Sequence, residues 1–382
     1  MSGIRFDRNE LAGSFGDIGT DLPLLFGMVL AARLDAASVF AVFGALQVAT
    51  GLVYRLPMPM QPLKAMAVLV IAGGVSAEVL AGGGLAIGAL MLALTLTGGL
   101  EWLAVRIPRS VVRGIQFGLG LSLASLALKA YVPSQGARGW ALAAAAFVVM
   151  MALWGNRRVP AGLIVIGLGL AYALAFRLDL GQLAAGAGLA LPTFHRPELA
   201  DVLTGLVVLA LPQLPLSLSN SVIATQQTIA DLFPERRIGV RRIGLTYSLV
   251  NLVAPLLGGV PACHGCGGLA GHYAFGARTG GSVVLYGSFY MAVGLLLSGS
   301  VAQVVEAFPL PLLGVVLLAE ALTLMRLIGD TAASRRDLAI ALAVGVIAFA
   351  VPQGYLIGLG VGLALDRLPV RYGRERESTV AE

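Results

Sequence analysis

Apolar residues run along this chain in blocks close to the ~20 residues that cross a hydrocarbon core, and polar residues gather in the short intervals between them. The blocks predict membrane helices over 14–31, 37–54, 58–73, 79–105, 108–127, 139–154, 159–176, 202–224, 243–259, 262–276, 281–299, 301–324, 338–351 and 353–367. Two of the fourteen, 58–73 and 262–276, are short and begin in Pro- and Gly-rich sequence. They predict half-helices preceded by extended chain. Pro57, Pro59 and Pro62 preclude a regular helix before Leu63, while Pro62 suits a first helical turn, where its missing N–H costs nothing.

The basic residues test this map, because cytoplasmic segments of membrane proteins are enriched in Lys and Arg. With the N-terminus in the cytoplasm, twenty arginines fall on the inner side. Only Arg33, Lys129, Arg138, Arg177 and Arg196 fall on the outer side, and Lys64 alone lies inside a span. The map therefore predicts a multi-pass protein of the cell membrane (the inner membrane of a bacterium) with both termini cytoplasmic. Composition agrees: 58% of the residues are hydrophobic and 12% charged, against roughly 25% charged in soluble domains. A soluble enzyme is excluded, as is a nucleic-acid binder despite the net charge of +6. Two cysteines cannot make a disulfide framework, and Met1–Glu10 lacks the apolar core of a cleaved signal.

Proline landmarks recur along the chain. Pro108 follows Pro59 by 49 residues and Pro309 follows Pro261 by 48, with the two sets offset by about 202. Seven spans per half is an odd number, so the second half is expected to insert inverted. Residues 1–176 then form one repeat, 177–201 a connecting outer loop, 202–367 the second repeat and 368–382 a short cytoplasmic tail. Interrupted helices at matching positions of inverted halves point to a secondary transporter whose site lies at the membrane midplane.

Non-helical backbone at that depth is tolerated only where it is enclosed by protein or lines a water-filled cavity. Two helix N-termini there would present unpaired N–H groups and about half a positive charge each, a setting that favours a small anion. Lys64 would add a full charge in the first turn of one half-helix, or pair with Asp17 or Asp21. In the second broken segment, Pro261-Ala-Cys-His-Gly-Cys-Gly-Gly, the glycines Gly265 and Gly267 allow a ligand close to the backbone, and His264 is a candidate donor. Asp17 and Asp21, one helical turn apart beside Thr20, are candidate proton carriers. Gln213, Ser217, Ser219, Asn220 and Ser221, in a stretch of the eighth span expected to be broken by Pro212 and Pro215, are too polar for a lipid-facing helix and line a cavity or bond across helices. Glu101, Glu306 and Glu320 read as polar packing partners. Cys263-His264-Gly265-Cys266 with His272 has soft ligands for zinc, but a half-helix projects them in different directions. No metal and no cofactor is expected.

The segments Gly13-Ser-Phe-Gly-Asp-Ile-Gly-Thr-Asp-Leu-Pro, Pro57-Met-Pro-Met-Gln-Pro-Leu-Lys, Leu211-Pro-Gln-Leu-Pro-Leu-Ser-Leu-Ser-Asn-Ser, Pro261-Ala-Cys-His-Gly-Cys-Gly-Gly-Leu-Ala-Gly and Phe275-Gly-Ala-Arg-Thr-Gly resemble the molybdate transporter family, relatives of the sulfate permeases. The resemblance implies an all-α membrane fold of fourteen segments in two inverted seven-span repeats, divided into core and gate domains, with no regulatory domain after Arg367. It implies proton-coupled uptake of molybdate, with Gln61, Pro62 and Lys64 on one side of the substrate and His264, Gly265 and Cys266 on the other. Thr20, Asp21, Gln213 and Asn220 are implied from the first and eighth spans. The partners expected are the oxyanion, protons and membrane lipids, with a homodimer as one open assembly. Sulfate, an organic-anion symporter of the same fold and an uncoupled anion channel are the alternatives.

Overall fold

The computed structural model describes residues 3–104, 106–154, 156 and 161–368, so residue 105 of the expected fourth span, residues 159–160 of the expected seventh span and the expected tail from 369 lie outside it. The first half of the chain forms α1 (Arg8–Gly13), α2 (Ile18–Ala32), α3 (Ala36–Tyr54), β1 (Met60–Pro62), α4 (Lys64–Gly73), α5 (Ala77–Thr97), α6 (Gly99–Ala104), α7 (Arg109–Leu126), α8 (Gly136–Ala152) and α9 (Ala161–Phe176). A connection containing α10 (Leu180–Ala185) leads to the second half. That half holds α11 (Leu199–Gly205), α12 (Leu211–Leu216), α13 (Thr225–Leu232), α14 (Val240–Val253), β2 (Ala262–His264), α15 (Cys266–Ala274), α16 (Gly281–Leu296), α17 (Ser298–Ala307), α18 (Leu310–Arg326), α19 (Arg335–Ala350) and α20 (Gly354–Arg367).

The protein is a mostly helical membrane protein. Five helical stretches among the described residues are long and apolar enough to cross a bilayer: Ala36–Tyr54, Ala77–Thr97, Arg109–Ala152, Leu199–Leu232 and Leu310–Thr331. Helix starts follow local chemistry. The Asp35 carboxylate accepts from Ser38 N at the head of α3, and Ser76 Oγ accepts from Val79 N at the head of α5, as N-caps do.

Two segments depart from the sequence expectation. The block 301–324 is not one helix: α17 stops at Ala307, and Pro309 stands as the extended residue that opens α18. Pro108 opens α7 in the same way. Conversely, Pro212 and Pro215 do not break the eighth span. Leu199–Leu232 runs on as one helix of 34 residues, with wider π turns at Leu206–Ala210 and Ser217–Ala224 on either side of the prolines. Such turns absorb hydrogen bonds that proline cannot donate, and they often mark functional positions.

Helix α3 lies along α16, and α5 lies along α14 and α11. The α3–α16 seam depends on glycine: a Cβ on Gly44 would sit 2.3 Å from Met291 N, and one on Gly294 2.3 Å from Ala41 N. Small residues allow this backbone approach where helices associate within lipid. Helices α18 and α19 flank α7, and α20 lies against α19. Between these groups β1 and β2 form a two-stranded antiparallel ladder, pairing Met60 with His264, Gln61 with Cys263 and Pro62 with Ala262.

Candidate functional site

The ladder is the centre from which both short helices start. Its register carries α4 away from one end and α15 from the other, and Leu63 N donates to Pro261 O at 3.0 Å. Each strand is gripped by a carboxamide from a neighbouring helix. Gln47 on α3 donates to Met60 O at 2.7 Å and accepts from Met60 N at 2.8 Å. Asn251 on α14 donates to Ala262 O at 2.7 Å and accepts from Ala262 N at 3.0 Å. A two-stranded ladder cannot satisfy its own outer edges, and a buried unpaired amide costs about 1–3 kcal/mol. These two side chains complete it.

A polar layer fixes the ladder against α2. Gln61 Nε2 donates to both carboxylate oxygens of Asp17 at 2.7 Å. Its Oε1 lies over Gly265, where a Cβ would come within 1.6 Å. Asp21 is fully buried, with Oδ2 accepting from the Tyr286 hydroxyl at 3.1 Å and Oδ1 without a partner among the described residues.

The two helix N-termini are treated differently. At α4, Gln213 Oε1 accepts from Ala65 N at 2.9 Å and Met66 N at 3.3 Å. Gln213 is itself held by Ser217, which bonds Tyr247 at 2.6 Å. At α15 no oxygen among the described residues accepts from Gly267 or Gly268 N, and Gly267 is exposed with nothing within 4 Å of its Cβ direction. Cys266 Sγ donates to Asn220 Oδ1 at 3.3 Å. Lys64 Nζ forms an ion pair with Glu320 Oε1 of α18 at 3.0 Å, and is within electrostatic reach of Asp17 and Cys266.

Of the residues singled out from sequence, Asn220, Cys266, Gly267 and Lys64 keep access to solvent at or near the α15 tip, and Thr20 keeps partial access on α2. Asp17, Asp21, Gln61, Pro62, Gln213, Ser217, His264 and Gly265 are buried behind them. His264 turns away from the tip: its Nε2 lies 2.8 Å from Thr246 Oγ1, which bonds the Tyr54 hydroxyl at 2.6 Å. His272 lies 3.1 Å from Ser282 Oγ, so the two histidines and the two thiols address separate neighbours. The Lys64 partner is Glu320 rather than Asp17 or Asp21. A carboxylate alone in the run Leu310–Met325 was the signal for it. Gln47 and Asn251 also carried a signal, since they are carboxamides in apolar helices separated by nearly the repeat offset. Two cavities lie elsewhere: one of about 450 Å³ at the Arg5–Arg278 rim, and an apolar one of about 430 Å³ between α2, α3 and α17.

Residues 9–123 and 205–324, one stretch in each half, match the family model described as "Molybdate transporter of MFS superfamily". The chain belongs to the molybdate transporter family. "Molybdate transporter 2" of Arabidopsis thaliana is 33% identical over 362 residues, covering 81% of this chain and 76% of the relative. "Molybdate transporter 1" of Chlamydomonas reinhardtii is 29% identical over 473 residues, covering 93% and 91%. Among solved structures, SLC26A9 superposes with a TM-score of 0.72 at 14% identity, over 94% of this chain, which spans 64% of the SLC26A9 chain. The transmembrane domain of the cyanobacterial bicarbonate transporter BicA gives 0.66 at 15% identity, covering 95% of this chain and 98% of that one. At such identities the likeness is one of fold. This chain thus has an SLC26-like fold, and the relatives of the molybdate transporter family that it matches are named as transporters.

Proposed function

We propose that this protein is a secondary active transporter for a tetrahedral oxyanion, with molybdate the first substrate and sulfate the second, and that uptake is coupled to protons. The observation that carries the reading is the α15 N-terminus, where Gly267 is exposed, no oxygen among the described residues accepts from the Gly267 or Gly268 N–H, and Cys266 is within electrostatic reach of Lys64. Backbone N–H groups with a neighbouring cation suit a small dianion, and the curated relatives are molybdate transporters. Thr20, Asn220 and Cys266 supply the polar rim. The buried residues Gln61, Pro62, Gln213, Ser217, His264 and Gly265 hold the backbone in position, and Asp17 and Asp21 are acidic groups within reach of the proton step.

In the same reading the chain crosses a cell membrane fourteen times in two inverted repeats, residues 1–176 and 202–367, with core and gate domains and cytoplasmic termini. Two features support the repeat. The packing of α3 on α16 has its counterpart in α14 on α5, and the Gln47 clamp on β1 has its counterpart in the Asn251 clamp on β2.

Uptake into proteoliposomes, with molybdate, tungstate and sulfate competing, tests the proposal. Saturable molybdate uptake that increases with an inward proton gradient is expected. Absence of saturable oxyanion uptake removes the oxyanion assignment, and uptake indifferent to the proton gradient turns the reading to a channel or uniporter.

A further inference from the structure

Lys64 is not free to receive an anion. Glu320 already holds it at 3.0 Å, and both side chains keep partial solvent access, 26% and 15%. The two residues come from separate elements: Lys64 opens α4, while Glu320 lies midway along α18. A dianion arriving at the α15 tip therefore meets a lysine whose charge is cancelled and a carboxylate that repels it. A proton on Glu320 removes both obstacles at once.

We propose that Glu320 links proton uptake to oxyanion binding, as an internal competitor for Lys64 when ionised and a neutral neighbour of the substrate when protonated. This deepens the transporter reading and rests on it. In the step, one proton from solution forms an O–H bond with the Glu320 carboxylate, the Lys64–Glu320 ion pair is replaced by a Lys64–oxyanion pair, and no other bond is made or broken.

Among the described residues Glu320 is the carboxylate in direct contact with Lys64, and Asp17 and Asp21 act on the pair only through space. From α2, Asp17 is engaged by Gln61 and Asp21 by Tyr286. From α7, Arg113 is committed to Gln116 and Asp330, and Arg109 to Asp330, which follows α18 in the chain. Arg138 at the start of α8 and Lys129 after α7 are exposed, Tyr131 is partly exposed, and Tyr172 of α9 lies in tilted contact with Phe176. Cys266 faces Asn220.

The test is calorimetric binding of molybdate, tungstate and sulfate to the purified full-length protein between about pH 6 and 8, in buffers of different ionisation enthalpy, so that proton uptake is counted. In the wild type, affinity is expected to rise as pH falls, with close to one proton taken up per oxyanion at the alkaline end. Glu320→Gln should bind about tenfold more tightly at that end, lose most of the pH dependence and take up correspondingly fewer protons. Glu320→Asp should keep the proton uptake but move the midpoint of the pH dependence. Failure of the wild type to bind any of the three anions defeats the transporter reading itself. Binding without proton uptake, or a Glu320→Gln protein with the wild-type pH slope, defeats the Glu320 assignment alone. Should Glu320→Gln not fold, the Asp variant decides, because an unmoved midpoint overturns the assignment.

Discussion

Helix α4 is enclosed along nearly its whole length, with Ala65, Met66, Ala67, Val68, Val70 and Ile71 buried, whereas α15 leaves Gly267, Ala270 and Ala274 exposed. Both helices start from the same ladder, and both strands are clamped by a carboxamide. The difference lies in side-chain volume and capping. Val, Leu, Ile and Met fill the surroundings of α4, and Gln213 takes its first amides. The sequence Cys-Gly-Gly-Leu-Ala-Gly at the start of α15 has little to fill space with, and its Gly267 and Gly268 amides have no oxygen acceptor among the described residues. One tip is finished as scaffold, and in the proposed function the other is the binding surface, to which the scaffold side contributes the Lys64 charge. An anion site on a helix terminus needs donors that the protein has not already used, so equivalence of the two tips would have been self-defeating.

The largest effect on this contrast is expected from Gly265→Ala. The new Cβ falls on Gln61 Oε1, so Gln61 must leave Asp17 and the ladder must shift. Overpacking of that kind costs about 1–3 kcal/mol or more. A thermal melt and an uptake assay should show a destabilised protein without oxyanion uptake; normal values for both would mean the ladder is not what sets the site. Next comes Lys64→Ala, expected to weaken oxyanion binding by more than about tenfold, or ~1.4 kcal/mol. Unchanged affinity in a titration would make Lys64 a structural partner of Glu320 only.

Gln213→Ala sharpens the comparison from the other side. It strips the cap from Ala65 and Met66 N, and an unsatisfied buried donor costs about 1–3 kcal/mol. The melting temperature should fall while affinity changes less than in Lys64→Ala, and the reverse order would mean that Gln213 touches the substrate. The smallest effect is expected from Gly267→Ala. Its methyl meets no atom within 4 Å, and alanine is favoured over glycine in a helix by up to about 1 kcal/mol, so stability should hold or rise slightly. Affinity should drop a few-fold, and more for molybdate than for the smaller sulfate. Equal affinities in mutant and wild type would take the α15 tip out of the site.

Much of this architecture can be read directly from residue order. Uninterrupted apolar blocks have no stable place but a membrane, and Pro57, Pro59, Pro62 and Pro261 mark where helix cannot continue, because proline lacks the donor and clashes with the preceding turn. Lys64 was visible as a charge that apolar sequence does not carry without a reason. The π turns of Leu199–Leu232 were not visible, since whether a proline breaks a helix or is absorbed depends on neighbours that support the displaced carbonyls. The separation of α17 from α18 at Pro309 was missed because the flanking residues are equally apolar.

Local chemistry along the chain dictated where helices end, which segments are extended and which residue types are out of place. Pairing belonged to the assembled fold: Gln61 with Asp17, Gln213 with the α4 amides, His264 with Thr246 rather than the tip, and Lys64 with Glu320, which is 256 positions away. A polar side chain in an apolar helix announces that it needs a partner. Which partner it finds is set by the packing of α3 on α16, α5 on α14 and α18 on α7, because hydrogen bonds and ion pairs form over a few ångströms in space and carry no trace of the distance between residues in the chain.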